Sequence, residues 1–186
     1  GEFTGFSENN FDNNQSYGLG LEANQIHMID ENTAFSNNTA AVEIYGSTLS
    51  NSSDSEWVDL SDNGEYHVNG NLTINSLLEL KAGADLAFIE DALFLVNSNG
   101  VLIANGTSSN HVSLTSQKAS SDIHWKGLEF ASSDSRNSLN YVDITYAGNS
   151  EMGDFADFAD KKTNLGLRDG AKVSITNCNI SNSLGY

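Results

Sequence analysis

Proline is absent from the 186 residues, cysteine occurs once, and Lys and Arg together number 8 against 25 Asp and Glu, a net charge of −17. Each scarcity excludes something. A chain without clustered bases cannot track a phosphate backbone, so nucleic acid is excluded as a partner. The same sign disfavours an anionic membrane surface, and no apolar run of about 18 residues exists to enter a bilayer. Cys178 has no partner for an internal disulfide and reads as a small buried hydrophobe, so cysteine usage does not place the chain in a compartment. Charged residues make up 18 % of the chain, below the roughly 25 % usual for globular domains, and the shortfall lies in the bases.

Asn, Ser and Gly take their place, with 24, 25 and 16 copies. Asn and Ser side chains hydrogen-bond to turn backbone, so the composition is rich in turns. Between the turns, apolar residues alternate: Val42/Ile44, Leu72/Ile74, Leu78/Leu80, Phe94/Val96, Val101/Ile103, Val112/Leu114, Leu128/Phe130, Val142/Ile144 and Val173/Ile175. Period two over many short stretches means strands rather than helices or disorder. Three segments align without gaps, namely 10–14 (NFDNN), 34–38 (AFSNN) and 179–183 (NISNS), the first two 24 residues apart. Leu72-Thr73-Ile74 leads to Phe94-Leu95-Val96 after 22 residues, and Leu78-Glu79-Leu80 to Val101-Leu102-Ile103 after 23. A repeat of 22–24 residues with two or three short strands predicts one coil of a parallel β-helix, in which each strand pairs with its equivalent one coil away and the inward residues stack into one core. Asn at a repeated turn position then forms amide bonds between coils.

Residues 100–107 (GVLIANGT), 111–116 (HVSLTS), 125–130 (WKGLEF) and 139–148 (LNYVDITYAG) resemble coils of the right-handed parallel β-helix repeat proteins with a pectin-lyase-like fold, in particular large secreted or surface-anchored bacterial proteins. The resemblance is clearest over 65–148; it departs from the family where Ala82-Gly83 stands in place of Pro-Gly and where no proline lies near His111. It implies an all-β chain forming a single right-handed solenoid over 1–186, and an extracellular or bacterial cell-surface location. No capping helix is evident at either end, so the expectation is one domain of a longer solenoid, or open ends that meet neighbouring protein chains.

Enzymes of this fold cleave acidic polysaccharides, and lyase chemistry needs a Lys or Arg base beside a charge-neutralising cation. The eight bases are scattered apart from the Lys161-Lys162 pair, which argues for a structural, adhesive or binding module rather than a catalyst, with a lyase or hydrolase fragment as the alternative. Residues 149–164 break the strand rhythm and read as a projecting loop, where Glu151, Asp154, Asp157 and Asp160 offer oxygen ligands for calcium as a cofactor. For a carbohydrate-binding module with polysaccharide as partner, the candidate ring platforms are Trp125, Tyr141, Tyr146, Phe155 and Phe158, although Trp125 also fits a packed corner. His111 and His124 lie in no metal-ligand spacing and read as surface or turn residues.

Overall fold

A computed structural model of the chain describes residues 1, 3–51, 54–119, 123–152, 162–168 and 170–185. Its strands are β1 (Asn10–Asp12), β2 (Tyr17–Glu22), β3 (Ala34–Ser36), β4 (Ala40–Leu49), β5 (Ser55–Trp57), β6 (Tyr66–Ile74), β7 (Leu77–Leu80), β8 (Asp85–Phe88) and β9 (Leu93–Val96). They continue as β10 (Val101–Asn105), β11 (Val112–Ser116), β12 (Gly127–Phe130), β13 (Ser138–Asn140), β14 (Val142–Thr145), β15 (Leu165–Leu167), β16 (Ser174–Thr176) and β17 (Asn179–Ser181). The helical turns among the described residues are 3-10 segments, Ala23–Met28 and Ser61–Asn63. The fold is all-β, and every strand pairing is parallel.

From β7 onward each strand pairs with the one three places later. β7, β10, β13 and β16 form a ladder, as do β8, β11, β14 and β17, and as do β9, β12 and β15. The strands fall into three sheets rather than one uninterrupted wall, with two, five and ten members. The ten-stranded sheet arises because β4 and β6 are long enough to turn a corner. The first half of β6 pairs with β8 and its second half with β9. A register shift between Tyr45 and Ser47 marks the bend, where a Cβ on Gly46 would lie 2.8 Å from the Cα of Gly70. Only glycines let the two backbones approach so closely.

Inward residues stack in columns. One runs Leu19, Val42, Tyr66, Leu86, Leu114, Ile144 and Ile180, and another Leu72, Phe94, Leu128 and Leu165. From Val42 to Ile144 the first column is wholly buried. Successive members lie about one strand spacing, ~4.8 Å, apart, so each side chain is capped above and below by the next coil.

The sequence pairings hold in part. Asn10↔Ala34 and Leu72↔Phe94 are in the expected register. The 23-residue step is corrected to 24, because Leu78 pairs with Leu102 rather than Val101. Residues 101–104 are all apolar, so alternation gives this strand no phase; the core takes Leu102 and Ala104, leaving Ile103 facing out. The third aligned segment, β17, stacks on β14 rather than on the ladder of β1 and β3. Its likeness is local: Asn13, Asn37 and Asn182 each follow a strand with φ near +56°, a left-handed conformation that Asn tolerates. Coil length also departs from 22–24 residues, growing to 34 from Phe94 to Leu128 and 36 from Ile144 to Ile180, because the connections after β11 and β14 are long.

Inter-coil amide bonds do form. Asn97 Nδ2 donates to Asn75 Oδ1 at 2.9 Å, Asn14 to Asn38 at 2.9 Å and Asn177 to Asn140 at 3.0 Å. Asn137 goes further. Fully buried, it accepts from the Leu102 amide at 2.9 Å and donates to the carbonyls of Asp134 and Lys172 at 3.0 and 3.1 Å, tying three coils together.

Candidate functional sites on the outer faces

Among the aromatic residues expected to stack on sugars, Trp125 is fully buried. Its ring lies parallel to Phe88 at 4.3 Å between centroids, and its indole N–H donates to the Thr145 carbonyl at 2.8 Å, so it packs a corner and presents no face to solvent. Tyr141 and Tyr146 flank β14, each half-buried with a positive φ, and each meets a histidine: His111 at 5.5 Å and His124 at 5.7 Å. The strand separates the two rings, so they do not form one platform. Phe155 and Phe158 lie outside the described residues, as do Asp154, Asp157 and Asp160, leaving Glu151 as the exposed member of the calcium set that is described. Among the described residues no group of three His, Cys, Asp or Glu side chains is placed to hold a metal ion. His124 is buried, contrary to the expectation of a surface residue, because it precedes Trp125 where the chain re-enters the core. Cys178 is only partly buried.

The outer column beside β8 carries Glu65, Asp85, Ser113 and Asp143 on successive coils. Partial burial, reinforced by Glu65, Asp59 and Asp143, pushes the Asp85 carboxyl up to about 6. Glu65 moves the other way, below its usual range, because it bonds the His67 ring at 3.1 Å. His111 sits 3.2 Å from Asp143.

Three of the bases, Lys81, Arg136 and Arg168, are held by carboxylates. Lys81 bridges Glu79 and Glu56 at 2.9 and 3.0 Å, and these pairs raise its pKa, Glu79 foremost. Arg136 is paired with Asp134 at 2.8 Å, and Arg168 with the buried Glu129, whose second oxygen has no partner among the described residues. A general base must shed its proton near the working pH, and a lysine raised above its normal value is displaced in the wrong direction.

A further arrangement, which alternation alone did not single out, lies on the outer face at the corner of the ten-stranded sheet. Tyr45 is 51 % exposed, and its phenol end crosses to β2 over Gly20, where a Cβ would sit 2.7 Å from the hydroxyl oxygen. Next to it on the following coil is Asn69, whose amide donates to Glu43 Oε1 at 2.6 Å and to the Tyr17 hydroxyl at 3.1 Å. Gln117 in turn donates to Asn69 Oδ1 at 2.7 Å. These bonds join residues 26, 52 and 48 positions apart, so the signal is the coil register, which a linear reading does not provide.

No family model, curated protein or solved structure matches the chain. Function therefore rests on the geometry and on the resemblance of its coil motifs.

Proposed function

We propose that the chain is a non-catalytic extracellular module, a right-handed parallel β-helix that serves as a rigid structural or adhesive scaffold and offers its outer faces for binding. The observation that carries this reading is the unbroken apolar column from Val42 to Ile144, which runs through five coils and gives each coil its neighbours as a lid. Stability of this kind is shared along an axis, as a spacer requires. The three-strand step of the ladders supports a single solenoid, and the strong preference of parallel β-crossovers for one hand supports right-handed winding. The coil motifs around Trp125 and Val142 support the surface location.

Against the lyase alternative stand the carboxylate pairings of Lys81, Arg136 and Arg168. Incubation of the full chain with polygalacturonate and with neutral polysaccharides, with and without calcium, followed by viscometry and reducing-end release, tests the reading. Constant viscosity is the expected result. A progressive fall would establish a depolymerase and overturn it.

A further inference from the structure

We propose that the corner face around Tyr45 is a binding site for an uncharged polysaccharide. The inference deepens the scaffold reading and rests on it, by naming one outer face and one class of ligand.

The side chains at equivalent outward positions on four successive coils are Tyr45, Asn69, Ile89 and Gln117; β4 and β6 are paired in this register, and the ladder continues through Ile89 N–H to Val68 O at 3.0 Å and Gln117 N–H to Phe88 O at 2.9 Å. Exposed apolar surface thus alternates with amides, at about one strand spacing per step, ~4.8 Å. Tyr45 on β4 and Ile89 just after β8 are 51 % and 42 % exposed, so both present apolar surface to solvent on this face. A hexose makes the matching pair of demands: its axial C–H face needs an apolar or aromatic partner, and its equatorial hydroxyls need fixed donors and acceptors.

The polar part is already fixed. Asn69 is held by Glu43, Tyr17 and Gln117 together, and the Tyr17 ring meets His67 edge-on at 5.7 Å. Side chains locked in this way lose little rotamer freedom when a ligand arrives. Gly20 completes the arrangement, since any side chain there would lift Tyr45 off the sheet. Charge decides the kind of polymer. Glu43 borders the face and the whole chain carries −17, so a uronate polymer is repelled and a neutral one is not.

Affinity electrophoresis of the full chain through gels containing xyloglucan, galactomannan, mixed-linkage β-glucan or dextran, with polygalacturonate as the acidic control, tests the site. At least one neutral polymer is expected to retard the chain. Tyr45→Ala should weaken that binding by about tenfold, the size of one lost ring contact, whereas Tyr45→Phe should retain it. Circular dichroism melts of both variants should match the parent, because Tyr45 lies outside the core. Retardation by none of the neutral polymers, undiminished binding by Tyr45→Ala, or preferential binding of polygalacturonate would each overturn the site and leave the scaffold reading intact. Shortening of the polymer in the gel would instead overturn the scaffold reading itself.

Discussion

Asp85 shows how one residue reports on the coil stacking around it. Its carboxyl would titrate near 3.8 when solvated, but burial and the flanking Glu65, Asp59 and Asp143 lift it to about 6 in the fold. The folded chain therefore holds more protons than the unfolded chain between these values. The contribution is fully present below the unfolded pKa and is lost as pH rises from about 4 to 6. Asp85→Asn is expected to melt with the parent at pH 4 and to be more stable at pH 7 by about 1 kcal/mol, or roughly 2–4 °C, after allowing for solvent screening. Melting curves across this range measure the gap, and a pH-independent difference would contradict the coupling. Asn137 belongs to the same scale with the opposite sign. Asn137→Ala strips the buried Leu102 amide and the part-buried carbonyls of Asp134 and Lys172 of their partner. It should cost about 2–3 kcal/mol by chemical denaturation. Composition announced abundant amides in turns, but nothing in the linear sequence separates this buried clamp from the exposed Asn residues, because the distinction depends on which coil lies above.

Among the elements, alternating strands were legible wherever apolar and polar residues take turns, as in Leu72-Thr73-Ile74. They were not legible in phase where every residue is apolar. The strand from Val101 is such a case, and its facing was decided by the partner Leu78 one coil earlier. The corrected phase has a direct test. Leu102→Ala should destabilise the fold by about 2–5 kcal/mol, while Ile103→Ala should cost under ~1 kcal/mol, since only Leu102 is inside. A larger loss for Ile103→Ala than for Leu102→Ala would restore the 23-residue step. Coil length was readable early in the chain, where short turns repeat the same Asn signals, and unreadable later, where long connections carry no periodic residues. The candidate platforms fared according to the same rule. Trp125 sits where a coil motif fills a corner, so it went to the core. Tyr45 became exposed because its strand bends at Gly46, a feature visible only once Gly70 faces it.

At the level of the whole molecule, three sheets are joined by one column-packed interior. If the strands form a single solenoid, β10, β11 and β12 belong to one coil although the first lies in the five-stranded sheet and the others in the ten-stranded one. Nearest-neighbour stacking then couples them more tightly than membership of a sheet does. Native-state amide hydrogen exchange reads this coupling residue by residue. The expected result is one shared opening free energy for the amides of Ile103, Leu114 and Leu128, lowered in all three together by Asn137→Ala. Opening of the five-stranded sheet at its own lower free energy, with the ten-stranded sheet still protected, would contradict the single-scaffold account.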